Sequence, residues 1–218
     1  MGKMRMGILD GFIGKVGTVV GSFWKGKKVM RGYNEFPANP NTASQELQRA
    51  KFALLGSLGG DLLNALQIGL HACAAENAST EVGEFTRLNL SKVSGTIDHL
   101  EVAYEELMLS NGSVTVVAPG EADFDTPLEV SVAIDDGYID TRFNTANDVV
   151  FLVVYSKTSH QAVISDGSAT RSDDQVSVTV PGYWQGDFVE TYVFVKSAKA
   201  GETDHCSDTI YCGSGRIA

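Results

Sequence analysis

Three groupings of residues hold the types that catalysis or metal binding needs. Gly14-Lys15 invites a phosphate loop, in which backbone amides, a lysine and a following hydroxyl cradle phosphate and magnesium. That loop requires glycine at position 9 and Ser or Thr at position 16, and the chain has Leu9 and Val16. A Gly-x-Gly-x-x-Gly dinucleotide fingerprint is absent as well. His205-Cys206 and Cys212, with His71 and Cys73 far upstream, supply ligand types for a metal. Structural zinc wants four ligands, often as closely spaced pairs, and these residues do not form such pairs. Three cysteines are too few, and odd in number, for a disulfide scaffold. Free thiols are expected, although Cys206 and Cys212 could meet across a turn. His160, Asp166 and Ser168 contain a triad's residue types without a Gly-x-Ser-x-Gly elbow, and Ser165-Asp166-Gly167-Ser168 reads as a hairpin turn. No catalytic residue, cofactor site or metal ligand is therefore assigned, and the chain is expected not to be an enzyme.

Two further groups suit binding. Tyr183 and Trp184 follow Pro181-Gly182. On a loop they would stack on a sugar or a base; in the alternative, one or both pack over the end of the β-rich part, since large aromatics are mostly buried. The second group lies at the start. Residues 1–31 carry seven basic groups against Asp10 alone, a net of +6, whereas the remaining residues hold 10 basic and 26 acidic groups, a net of −16. Such an arm binds either an anionic polymer or the acidic body of a neighbouring copy. Its aromatics Phe12, Phe23, Trp24 and Tyr33 lie among cations, as in single-strand nucleic-acid binders. Ile8, Ile13 and Val19-Val20 look instead like residues that fill a protein groove. The arm residues expected to carry assembly are Phe12, Val16, Val19, Val20, Phe23, Trp24, Lys25, Lys27, Lys28 and Arg31.

The elements that position these groups change along the chain. Glycines at 7, 11, 14, 17, 21 and 26 punctuate the start. Each costs about 1 kcal/mol in a helix interior, which argues for an extended or looped arm over residues 1–40. Pro37 and Pro40 break the chain, and Thr42-Ala43-Ser44-Gln45 fits a capping box. Leu47, Leu54, Leu55, Leu58, Leu62, Leu66 and Leu70 follow at helical spacing, with Gly59-Gly60 expected to kink or split the run. A second start at Ser79-Thr80 leads to Phe85, Leu88, Leu90 and Val93, so helices are expected to about residue 95. From Leu107 the period becomes two. Leu128, Val130, Val132 and Ile134 alternate with polar or small residues, and Asp136-Gly137 reads as a tight hairpin turn into Tyr138–Phe143. Val149–Tyr155 suits a strand buried on both faces, and Val176–Val180, Phe188–Val195 and Thr209–Cys212 complete the set. The expected fold is α+β: the Gly-rich arm (1–40), a short helical segment with the first strand or strands (41–118), then an immunoglobulin- or fibronectin-like antiparallel β-sandwich (119–218).

The opening Gly11-Phe12-Ile13-Gly14-Lys15-Val16-Gly17-Thr18-Val19-Val20-Gly21, with Trp24-Lys25-Gly26 and Arg31, resembles an uncharacterised domain family abundant in Bacteroidota genomes and their phages. Thr42 to Phe52, then Pro181, Trp184, Gly186-Asp187, Tyr192 and Ser207 to Tyr211, resemble it too. The resemblance spans nearly the whole chain and is weakest over 71–105. It implies a bacterial or bacteriophage source and transfers no catalytic residues.

The functional expectation is a structural self-assembly protein, in a bacteriophage virion or a surface assembly, whose arm contacts other subunits. The alternative is a non-enzymatic β-sandwich module that binds glycan or protein. Partners are expected to be further copies or other structural proteins, with nucleic acid at the basic arm not favoured. No run of 18 apolar residues exists, so no membrane span is expected. The start shows no signal peptide, which predicts synthesis in the cytoplasm and agrees with a virion location.

Overall fold

Glycine and valine in short alternation make strands at the start of the chain, and leucine at helical spacing makes helices after it. The computed structural model describes residues 2–3, 13–36, 41–135, 145–199 and 204–218. Contacts divide the chain into two units, residues 1–42 and 43–218. Phe12, the Pro37/Pro40 breaker and the turn at Asp136-Gly137 with Tyr138–Phe143 lie outside the described residues.

The first unit is an antiparallel sheet of β1 (Gly2–Lys3), β2 (Gly14–Val16), β3 (Val19–Trp24) and β4 (Lys27–Gly32), in the order β1-β4-β3-β2. Within the arm expected to be extended or looped, β2, β3 and β4 thus form a meander of paired strands, with β1 added beside β4. Two-residue turns join the meander. Lys25 and Gly26 both have positive φ, 47° and 72°, the signature of a type I′ hairpin, while Gly17 at 59° opens the other turn.

The second unit begins with α1 (Ala43–Asp61), α2 (Leu63–Gly69), α3 (His71–Glu76) and α4 (Glu81–Asn89). Thr42 stands immediately before α1, where the capping box predicts the start. The helix runs straight through Gly59-Gly60 and breaks at Leu62 instead. The reason is packing: a Cβ on Gly59 would lie 3.0 Å from Val82 and 3.2 Å from Phe85, so glycine lets α4 approach closely. α4 starts where predicted, with the Thr80 hydroxyl accepting the Gly83 amide at 3.1 Å. The helices end earlier than expected, because a hairpin, β5 (Val93–Thr96) and β6 (His99–Val102), occupies the next stretch.

Seven strands follow: β7 (Ala118–Asp123), β8 (Glu129–Asp135), β9 (Val149–Ser156), β10 (Gln161–Ile164), β11 (Gln175–Thr179), β12 (Phe188–Lys196) and β13 (Ile210–Arg216). They form two antiparallel sheets, ordered β11-β8-β7 and β10-β9-β12-β13. The expected hairpin at Ser165–Ser168 is a crossover instead, because β10 pairs with β9 while β11 pairs with β8 in the other sheet.

β9 is buried on both faces, as its apolar run predicts. Val150, Leu152 and Val154 join Val130, Val132, Ile134, Val176 and Val178 in a valine-rich core shared by the two sheets. Phe151, Val153 and Tyr155 point the other way and pack with Tyr192 and Phe194 against Leu55, Leu62, Leu66 and Phe85 of the helices. Three layers result: three-stranded sheet, four-stranded sheet, helices. The boundary expected near residue 119 falls inside this unit.

Candidate assembly interface

In an antiparallel sheet, residues directly opposite one another share a face, and successive residues alternate faces. Val16 pairs with Val19, Gly14 with Gly21, Val19 with Gly32, Gly21 with Met30 and Phe23 with Lys28. One face of the first unit therefore holds Val16, Val19, Phe23 and Met30 among three glycines, with Lys28 at its end. Lys15 pairs with Val20, Val20 with Arg31, Ser22 with Val29 and Trp24 with Lys27. The opposite face therefore carries Lys15, Lys27 and Arg31 around Val20, Val29 and Trp24. Tyr33, one step beyond β4, continues that face, and the Lys15 Nζ stands 3.5 Å from its ring centroid. The Lys25 Nζ lies 5.9 Å from the Trp24 ring, near the outer limit of a cation–π contact.

Burial in this unit is slight. Among its described residues only Val29 is a buried apolar side chain, whereas Ile13, Val16, Phe23, Trp24 and Phe36 each leave more than half of their surface exposed. Exposed apolar side chains gathered on one small element mark a contact surface, while scattered ones carry no message. The structure thus brings nine of the ten predicted arm residues, Val16, Val19, Val20, Phe23, Trp24, Lys25, Lys27, Lys28 and Arg31, onto one small sheet. The tenth, Phe12, is outside the described residues.

The aromatic pair at the C-terminal unit divides. Tyr183 is 65% exposed and donates its hydroxyl to the Gln161 Oε1. Trp184 is 0% exposed and sits in the valine-rich core, so it is no stacking platform. The intervening turn, Gly182–Trp184, places the two rings on opposite sides of the surface.

Of the remaining candidates, Cys73, His205 and Cys206 line one pocket, whereas Cys212 lies in the valine-rich core and the His71 Nδ1 is 3.2 Å from Glu81. Cys206 and Cys212 are free and buried. The Cys206 thiol donates to the Ile68 carbonyl at 3.3 Å, and burial pushes it up to about 11 and Cys212 up to about 12. Neither is an available nucleophile at neutral pH. No cluster of three or more metal-ligating side chains occurs among the described residues. His160 Nδ1 lies 3.4 Å from the Tyr155 hydroxyl, and Ser168 donates to Asp166 at 2.7 Å, a local turn contact.

One cluster escapes the sequence reading. Glu190 is buried and accepts from Lys157 Nζ and from the Tyr211 hydroxyl, both at 2.6 Å. The Lys157 Nζ also lies over the rings of Tyr104 and Phe188, and the Tyr192 hydroxyl donates to the Tyr104 carbonyl at 2.9 Å. Burial, followed by the bond to Glu190, pushes the Tyr211 hydroxyl up to about 12. The signal for it was a lone acid inside the aromatic run of β12. Each Glu190 oxygen has a donor, so the cluster ties the turn after β9 to β12 and β13 instead of presenting a reactive group.

A family model described as a family of unknown function, DUF6266, matches residues 11–213. No curated protein matches the chain.

Proposed function

We propose, from the premise that this chain belongs to the DUF6266 family of unknown function, that it is a structural self-assembly protein whose N-terminal sheet contacts other subunits. The observation that carries this reading is the exposure of Val16, Phe23 and Trp24 on one small sheet, with Ile13 and Phe36 exposed just outside its strands. A sheet this small buries too little by itself and gains stability when a partner covers it. A bacteriophage virion or another surface assembly, with a bacterial or phage source, is the setting that goes with the reading.

The larger unit serves here as the scaffold, and we read its two sheets as one β-sandwich. Of the seven strands β7 to β13 in chain order, the first, second and fifth form one sheet, and the third, fourth, sixth and seventh form the other, with the β5–β6 hairpin outside both. This order and the shared valine core support an immunoglobulin- or fibronectin-like topology, with the helices added as a third layer.

Size-exclusion chromatography with light scattering on the full chain tests the proposal. Oligomers are expected, and replacing Phe23 and Trp24 with Ser weakens them more than replacing Lys25 and Lys27 with Gln, because apolar burial contributes more than exposed ion pairs. A full chain that stays monomeric at every concentration overturns it. The second reading, a glycan- or protein-binding module, draws on the exposed ring of Tyr183. A monomer whose glycan-array signal disappears in Tyr183→Ala would establish that reading instead.

A further inference from the structure

We infer that the cationic face of the N-terminal sheet docks on the outer face of the three-stranded sheet of a second copy. The inference rests on the self-assembly reading and names the surface that the N-terminal sheet meets.

The docking face has a defined pattern. Lys27 and Arg31 are four residues apart on β4, which sets them about 13 Å apart, and Lys15 lies two strands away, about 10 Å to the side. Trp24 and Tyr33 stand among these charges, so the face combines cations with flat apolar surface.

The receiving face has the opposite character. On β8 the outward residues are Glu129, Ser131, Ala133 and Asp135, and on β11 they are Gln175, Ser177 and Thr179. Asp123 of β7 lies beside Ser131. Ala133, Asp135, Ser177 and Asp123 are exposed. Small side chains keep the centre flat, which leaves room for an indole or phenol ring. Acids border it, with Asp173 and Asp174 leading into β11 and Asp125 following β7. The sequence holds no Lys or Arg from 108 to 135 or from 172 to 195. The four-stranded sheet differs, because its outer face is covered by the helices.

Charge complementarity selects a second copy as the occupant. Residues 1–31 carry +6 and the rest of the chain −16, so every copy brings one basic sheet and one acidic face in equal number. A nucleic acid would meet the basic sheet only by bringing its phosphates toward a chain of net charge −10. The two patches are different surfaces, so copies join head to tail into rings or filaments, or two copies exchange their N-terminal sheets reciprocally.

Charge swapping on the full chain tests this. One variant carries Lys27→Glu and Arg31→Glu; the other carries Asp135→Lys and Ser177→Lys. All four positions are exposed, and an unchanged far-UV spectrum and melting temperature confirm folding. Each variant alone is expected to associate at least tenfold more weakly than the parent chain. Mixed one to one, they should regain the parent's mass by light scattering, because each reversed sheet then meets a reversed face. Lys27→Gln with Arg31→Gln, which removes charge without reversing it, should weaken association less and should not be rescued. If both reversed variants assemble like the parent, the contact lies elsewhere and this inference fails while the assembly reading stands. If the parent is monomeric, the assembly reading itself fails. If each variant is weakened but mixing restores nothing, the two faces do not meet between copies and the inference is overturned. Single-stranded DNA binding that Lys27→Glu/Arg31→Glu abolishes, with assembly intact, would assign the basic face to nucleic acid and overturn it too.

Discussion

β3 and β8 are both central strands of small antiparallel sheets, and both carry apolar residues at alternate positions, yet they end in opposite environments. In β8, Val130, Val132 and Ile134 are buried against the four-stranded sheet, and the other side presents small or acidic residues. In β3, Val19 and Phe23 lie on one face and Val20 and Trp24 on the other, and none of the four is buried. Alternation is therefore enough to make a strand, but a second layer is needed to turn its apolar side chains into stability. β8 has that layer within its own unit. β3 has apolar residues on both faces and keeps them at the surface, which is the arrangement expected of an element that finishes its packing on a partner.

The comparison breaks most sharply at Leu152. Its side chain is fully buried between the two sheets, and an unpaired carboxylate there costs about 5 kcal/mol, comparable with the whole stability of many domains. Leu152→Asp should abolish the cooperative thermal transition followed by circular dichroism. Trp24→Asp, which puts a carboxylate on the docking face of the first unit, should leave the main transition unmoved and reduce association only. Equal losses of melting temperature would show that the two units fold as one.

A second break lies inside the larger unit. Residues 43–218 contain the helices and both sheets, whereas 119–218 lacks the cover over Phe151, Tyr155, Tyr192 and Phe194. Each of these side chains is worth about 2 kcal/mol when buried. The longer fragment should melt cooperatively, and the shorter one should aggregate or bind a hydrophobic dye. A shorter fragment that melts cooperatively at the same temperature would mean that the helical layer contributes nothing to the sheets.

These cases show where the sequence was legible. β8, β9, β11 and β12 were readable because their periodicity reports burial directly: Val149–Tyr155 lacks a polar side, and β9 is covered twice. The start of α4 at Thr80 was readable because a cap is a local device. Three features were not legible. The break at Leu62, rather than at Gly59-Gly60, depends on how closely α4 approaches, a contact between residues far apart in the chain. The meander was hidden because glycine spacing excludes helix without selecting among extended forms, and pairing register is set by turns such as Lys25-Gly26. The Glu190 cluster was hidden because its partners, Lys157 in the turn after β9 and Tyr211 in β13, are distant in the chain. The same limit split Tyr183 from Trp184: neighbours in sequence, they face solvent and core.

Alkaline titration gives a smaller and slower effect, confined to the larger unit. Tyr211 is held at about 12, Cys206 at about 11 and Cys212 at about 12, all above their unfolded values near 10 for tyrosine and 9 for cysteine, chiefly because burial disfavours the charged forms. Between those unfolded and folded values the unfolded chain has released protons that the folded chain still holds. Stability therefore falls as pH rises from about 9 to about 12, and it is fully present below that window. Denaturant midpoints measured at pH 8, 9.5 and 11 should decline in that order. Cys73, which is only half-buried, should react with a thiol reagent in the native state, and Cys206 and Cys212 only on unfolding. A flat profile from pH 8 to 11 would contradict the buried setting of both thiols.

The smallest expected effect separates two uses of glycine. Gly26 has φ +72° and a Cβ placed on it would meet nothing within 4 Å, so only its backbone conformation resists substitution. Gly26→Ala should cost about 1 kcal/mol, the usual penalty for a side chain in the left-handed region. Since the β3–β4 hairpin belongs to the first unit, that cost should appear as a weakening of association by about fivefold, with the main melting transition unchanged. Gly112 makes the opposite demand: a Cβ there would fall 2.2 Å from the Cys206 carbonyl oxygen, so backbone must move. Gly112→Ala should lower the main transition by about 2 kcal/mol equivalent, as overpacking does, and leave association per folded molecule as it was. If Gly26→Ala moves the main transition and Gly112→Ala does not, the strain is shared across the units and the division between a sheet finished by a partner and a self-sufficient scaffold is wrong.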